Sequence, residues 1–215
     1  MEQTDAATYW DAATYWDKVY AERPAPDAPR PNARLVEHVS DLTPGDVLDI
    51  GCGGGGDALW LAGRGWQVTA VDVSEVAATR LGRLARARGL GDRITAARHD
   101  VRASLPGTAY DLVTAHYFHA PYEQDRAAVL RSAAHLLRPG GRLLVVDHGS
   151  TAPWSWNQDP DVRFPTPEEV AASLRLPPAQ WAVERTEKAR RVAVGPDGTT
   201  TAEVVDHVLL IRRNR

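Results

Sequence analysis

The sequence predicts an α/β fold: one doubly wound, seven-stranded, mostly parallel sheet that ends in a C-terminal antiparallel hairpin. Three observations carry that prediction. From Arg34 onward, short apolar runs of strand length alternate with stretches of helical apolar spacing. The first run, VLDI at 47–50, opens through the glycine-packed turn GCGGGG directly into a helical stretch, as a βαβ unit with a ligand-cradling turn requires. The last two strand-like runs are joined by Gly195-Pro196-Asp197-Gly198, a composition that turns the chain back antiparallel.

Residues 1–33 read as an N-terminal segment and 34–215 as the domain proper. The segment opens on a period-six duplication, DAATYWDAATYW, too short a period for a solenoid repeat. Its second copy leads into Trp16-Asp17-Lys18-Val19-Tyr20, so Trp16 rather than Trp10 is expected over the cradle; the competing reading has both tryptophans merely packing a short helix. RPAPDAPRPN, residues 23–32, holds four prolines and reads as a loop or extended connector.

Beyond it a helix is predicted over 31–41 and strand 1 over 47–50. A helix over about 57–64 follows the glycine turn, and strand 2, beginning at Gln67, ends at Asp72. Ser74 has the character of an N-cap for a helix over about 75–88, and Ile94–Arg98 and Tyr110–Ala115 read as strands 3 and 4. A helix is expected over about 123–137, Pro139-Gly140-Gly141 as a turn, and Arg142–Asp147 as strand 5. PEEVAASL, 167–174, is helical, and Trp181–Val194 with Thr201–Arg212 form the hairpin.

The glycine spacing admits two cofactors. Gly51-x-Gly53-x-x-Gly56 fits a dinucleotide fingerprint and Gly51-x-Gly53-x-Gly55 the looser turn used for S-adenosylmethionine. Charge separates them: Asp57 sits where a pyrophosphate would meet the helix N-terminus, and Asp49 adds negative charge just before the turn. A sulfonium with an ammonium group tolerates both, unless Asp57 only caps the helix and Asp49 only bonds the turn's backbone. Asp72 stands 17 residues after Gly55, near the offset at which a carboxylate receives a ribose diol. The hairpin also leaves no length for the second half of a dinucleotide-binding domain.

VLDIGCGGGGDALWLAGRGWQVTAVDVS resembles motif I and the following acidic strand end of the class I S-adenosylmethionine-dependent methyltransferases, a Rossmann-like family. HDV at 99–101, YDLVTAHYFH at 110–119 and LLRPGGRLLVVDH at 136–148 fall where that family's later segments fall. The WDKVY segment is similar to one in the tellurite-resistance and thiopurine-type small-molecule group. The resemblance implies S-adenosylmethionine as cofactor and S-adenosylhomocysteine as product. It places Asp49, Gly51 and Gly53 about the methionine moiety, Asp72 at the ribose hydroxyls, Asp100 with Val101 at the adenine and Trp16 over the cofactor; Cys52, Asp57, Val73 and Ala115 are further cofactor-binding candidates. It also implies that the N-terminal segment folds over cofactor and substrate. An Asp before Val101-Arg102 that only caps a turn is the alternative for Asp100.

His116, Tyr117 and His119 follow strand 4 and His148 ends strand 5, where parallel sheets bind ligands. Methyl transfer is an in-line displacement that needs alignment and, for a protonated acceptor, a base. His116, His119 and His148 are the catalytic candidates, against a purely hydrogen-bonding role at strand ends. Tyr117, Trp154 and Trp156 are the candidates for walls of an acceptor site. The three histidines raise an open zinc site as an alternative, but no carboxylate orienter is identifiable and no metal is expected. Ser150 lacks a nucleophile-elbow context. Cys52, the single cysteine, reads as a small packed residue of the turn, not a nucleophile.

At 215 residues, 43% hydrophobic and 25% charged, the chain supports one core. A net charge of −3 argues against a nucleic-acid partner, and Arg80, Arg83, Arg86 and Arg88 are spaced as a solvated helix face. No NPPY- or DPPY-type motif follows strand 4. No apolar run approaches the length of a membrane span and no signal-like segment opens the chain, so a cytoplasmic protein, monomer or homodimer, is expected. The expected function is methyl transfer to a small-molecule sulfur, selenium, tellurium, oxygen or nitrogen nucleophile. The alternatives are a non-catalytic S-adenosylmethionine-binding module and an NAD-dependent oxidoreductase.

Overall fold

The computed structural model describes residues 11–23, 28–107, 109–120, 122, 124–155 and 157–215. Helix α1 (Ala12–Glu22) precedes α2 (Ala33–Val39), and the core alternates β1 (Asp46–Ile50), α3 (Gly56–Gly63), β2 (Gln67–Asp72), α4 (Glu75–Ala87) and β3 (Ile94–Arg98). The chain continues through β4 (Tyr110–His116), α5 (Arg126–His135), β5 (Leu137–His148), α6 (Pro167–Leu174), β6 (Trp181–Val194) and β7 (Thr201–Arg213). One seven-stranded sheet results, in the order β3-β2-β1-β4-β5-β7-β6. The first five strands are parallel, β7 is antiparallel to β5, and β6 is antiparallel to β7 at the sheet's edge.

The central strands are buried on both faces, so they carry continuous apolar runs instead of alternation. Val47, Leu48, Ile50, Leu112, Val113, Leu143 and Leu144 are fully enclosed. One apolar layer, with Leu61, Trp66 and Leu81, lies under α3 and α4; the other, with Leu130, Leu137 and Leu174, lies under α5 and α6. Ser74 caps α4 as expected, accepting from the Ala77 amide at 3.2 Å. Thr166 and Glu169 form a reciprocal capping box on α6.

Two expectations are corrected. Pro139-Gly140-Gly141 is not a turn before β5 but part of it, because a register shift between Tyr110 and Leu112 lets the strand begin at Leu137. Arg80 is not merely solvated: its guanidinium donates to the backbone carbonyls of Tyr20 and Arg23 and so ties α1 to α4. Among the described residues no helix is long and apolar enough to cross a membrane.

Candidate active site

β1 and β4 lie side by side at the centre of the sheet, with β2 and β3 to one side and β5 to the other, so a crevice opens where the strand order reverses. The turn after β1 is built for close approach. Gly51, Gly53 and Gly55 hold φ values of 69°, 49° and 79°, which L residues avoid. A Cβ on Gly53 would stand 2.8 Å from the Tyr20 hydroxyl, and one on Gly55 would meet Leu81 at 2.6 Å.

Asp72 closes this turn from the end of β2. Its carboxylate accepts from the Gly53 amide at 3.0 Å and the Ser74 amide at 2.9 Å. Burial raises its pKa despite those bonds. Asp17 of α1 accepts from the Ser74 hydroxyl at 2.6 Å and the Val76 amide at 3.1 Å, seating the N-terminal helix on the N-terminus of α4. From there Trp16 and Tyr20 reach over a cleft that opens to solvent, and the Trp16 indole donates to the Tyr122 hydroxyl at 3.3 Å.

Of the sequence-predicted residues, the cleft is lined by Trp16, Gly51, Asp72, Val73, Asp100, Val101, Tyr117 and His119. Asp100 is bound by its own neighbour: Arg102 donates to both carboxylate oxygens, at 2.8 and 2.6 Å, and holds the acid below the usual carboxylate range. The turn-capping alternative is also realised there, because the Arg102 amide donates to Asp100 as well. Sequence reasoning gave no role to Phe118, Tyr122 and His99, which also line the cleft. The aromatic content of HYFH was the available signal for Phe118 and the HDV segment that for His99; nothing local marks Tyr122.

Other candidates are placed elsewhere. Asp57 neither caps α3, whose N-cap is Gly55, nor lines the cleft. Its carboxylate accepts from the Asn32 amide at 2.6 Å and contacts His116 Nδ1 at 2.7 Å. His116 therefore sits inside the protein, its side chain 5% exposed and its Nε2 without a partner, and does not line the cleft. Asp49 does not bond the turn's backbone; one oxygen accepts from the Thr114 hydroxyl at 2.8 Å, and the other is buried and unpartnered. Burial, with Asp57 nearby, pushes Asp49 up to about 7. Ala115 is packed in the core between Ile50 and Val145. Cys52 is buried, with its thiol pKa pushed up by burial, as expected of a packed residue.

Trp154 is no wall of the cleft. It packs against the hairpin turn, where a Cβ on Gly195 would meet its ring at 3.0 Å, while Trp156 lies outside the described residues. His119 and His148 do come together, with ring centroids 5.9 Å apart, and His119 Nε2 lies 3.4 Å from the buried Asp147, which Arg126 also holds at 2.6 Å. Partial burial lowers His119 to about 4 and lowers His148, so both are neutral at pH 7. The three predicted histidines do not converge on one point; among the described residues the one grouping of metal-ligand type is Glu37, His38 and Glu187, where Arg34 already binds Glu37 at 2.8 Å.

The sheet order, the positive-φ glycine turn and the buried acid ending β2 define the cofactor-binding fold of the class I methyltransferases. The methyltransferase domain family matches residues 47–141. Those residues carry a methyltransferase domain, and S-adenosylmethionine is the cofactor such a domain implies.

It is 34% identical over 119 residues to a ribosomal RNA small subunit methyltransferase C of Alcanivorax borkumensis, covering 54% of this chain and 36% of that protein. It is 40% identical over 106 residues to a ubiquinone biosynthesis O-methyltransferase of Xylella fastidiosa, covering 46% and 40%. The chain thus spans less than half the length of these curated relatives. A solved structure described as "Conversion of a Disulfide Bond into a Thioacetal Group during Echinomycin Biosynthesis" aligns over 94% of this chain and 93% of its own, with a TM-score of 0.69 and 26% identity. TehB from Haemophilus influenzae aligns over 95% and 67% with a TM-score of 0.64. Its 19% identity makes that a likeness of fold alone.

The residues present fit the cofactor. The turn leaves out the Cβ atoms that would fill the cradle, and a buried, unpartnered carboxylate oxygen of Asp49 lies at the end of β1 beside it.

Proposed function

We propose that this protein transfers the methyl group of S-adenosylmethionine to a small-molecule acceptor. When bound, the cofactor supplies an electrophilic methyl group on a sulfonium. Asp72 takes the ribose diol, Asp100 and Val101 meet the adenine, and Gly51, Gly53 and Asp49 surround the methionine end. Trp16 and Tyr20 exclude water from above, where desolvation favours displacement at carbon.

The observation that carries a small acceptor is the cleft's lining. It is aromatic, and its one described guanidinium, Arg102, is committed to Asp100. A polyanion needs several phosphate-neutralising cations, which these residues do not offer. The names of the O-methyltransferase relatives support the same reading. His119, neutral at pH 7, offers the acceptor a lone pair or an N–H more than strong basicity, since a pKa near 4 is far below the optimum for a base at neutral pH.

The test is calorimetric titration with S-adenosylmethionine, S-adenosylhomocysteine and NAD, followed by an acceptor screen of phenols, thiols, amines, selenite and ribosomal RNA read out as S-adenosylhomocysteine formed. Binding of the first two and turnover of a small molecule is the expected result. Binding of NAD alone, methylation of RNA alone, or cofactor binding without turnover on any acceptor would overturn it.

A further inference from the structure

Behind the cleft stands a feature that neither the cofactor turn nor the N-terminal helix explains. Tyr117 has φ of 50°, a left-handed conformation that costs a non-glycine residue energy and is retained only where the surroundings over-determine it. Its ring stacks on His148 at 4.2 Å and 17°, and His119 continues the row at 5.9 Å and 24°. Three near-parallel rings thus stand at the carboxyl ends of β4 and β5. Two of them, Tyr117 and His119, also line the cofactor cleft, and His119 and His148 are exposed.

The row is anchored from the far side. Asp206 of β7, 1% exposed, accepts from the Tyr117 hydroxyl at 2.9 Å, from Arg191 Nε at 2.8 Å and from Arg34 Nε at 3.2 Å. Arg191 also donates to the Tyr117 hydroxyl at 3.2 Å. A buried carboxylate held by two guanidiniums is a rigid point, because moving it would strand uncompensated charge. Tyr117 is therefore fixed at both ends, by its backbone in the loop and by its hydroxyl in the sheet.

We propose that the row Tyr117–His148–His119 is the acceptor ledge, that it takes a planar conjugated molecule by stacking, and that Asp206 is the positioning residue that holds it. The inference rests on the methyl-transfer reading and names the substrate class of that site. Flat rings without a free charge select for π surface, since offset-stacked pairs gain about 0.5–1.5 kcal/mol beyond area burial.

The test uses histidine-labelled protein saturated with S-adenosylhomocysteine, with His119→Gln and His148→Gln assigning the imidazole signals. Titration with 1-naphthol should shift both signals, while decahydro-1-naphthol, its saturated counterpart, should not. Tyr117→Phe keeps the ring but removes the hydroxyl's bonds to both Asp206 and Arg191, and naphthol affinity should fall about 3- to 10-fold as the ring loses its tether. Tyr117→Leu should abolish the shift. Equal shifts from the saturated alcohol, or none from naphthol, would overturn the ledge; an unchanged affinity in Tyr117→Phe would overturn the role of Asp206. Failure to bind S-adenosylhomocysteine would count against the cofactor reading and is measured separately.

Discussion

Replacing Asp72 with Asn separates the cofactor site from the fold it is built into. The carboxylate is 6% exposed and spends one oxygen on the Gly53 amide and the other on the Ser74 amide. An Asn keeps one acceptor and turns an NH2 group toward the other N–H, so one bond is lost and two donors face each other. The lost bond to a charged acceptor is worth about 1.5–3 kcal/mol, partly offset because the buried charge is also removed. A net destabilisation of about 1–2 kcal/mol is expected in urea unfolding. The same substitution removes the charged acceptor proposed for the ribose diol, and a further loss of about 1.5–3 kcal/mol is a roughly 10- to 150-fold weaker binding of S-adenosylhomocysteine. Calorimetry at a temperature where the variant is fully folded reads this directly. A folded Asp72→Asn protein that binds within about twofold of the parent would refute the place given to Asp72.

Asp17→Ala removes both hydrogen bonds that seat α1 on α4; with solvent screening discounted, about 1 kcal/mol of docking is lost, and S-adenosylhomocysteine should bind about fivefold more weakly in calorimetry. Asp49 is raised from 3.8 to about 7, so the folded state binds the extra proton and stability falls as pH rises between those values. Urea midpoints taken from pH 4 to 7 should show that decline, and Asp49→Asn should flatten it. Thr166→Ala breaks the capping box of α6, none of whose residues lines the cleft; a loss of about 1 kcal/mol, or 2–4 °C in melting temperature, with cofactor affinity unchanged is expected.

Most of the framework was legible because its signals are local. Apolar runs, Ser74 as a cap, and the Gly195–Gly198 turn each act within a few residues, and β3, α6 and β6 fall where the pattern put them. Legibility failed where a partner distant in sequence decides the outcome. Asp57 is the acid of the first turn of α3, as its position indicated, but its partner His116 lies 59 residues on and could not be read. Trp154 looked like a loop wall until the hairpin tip folded over it. The anchor of Tyr117 could not be read either, since Asp206 is 89 residues away and acidic residues in strands carry no distinctive pattern.

The edge strand β6 bears on how the protein behaves when crowded. Fourteen residues long and paired on one side only, it offers unpaired backbone groups to any passing strand, and Val183, Val192 and Val194 are exposed along it. Such an edge is a template for sheet-to-sheet association unless blunted. Here Glu184, Arg185, Glu187, Lys188, Arg190 and Arg191 interrupt it with charge of both signs, so an incoming copy would have to match a mixed pattern as well as a backbone ladder. The middle of the strand acts as a gatekeeper against fibril growth, and the uncharged stretch from Val192 to Val194 is where that protection is thinnest.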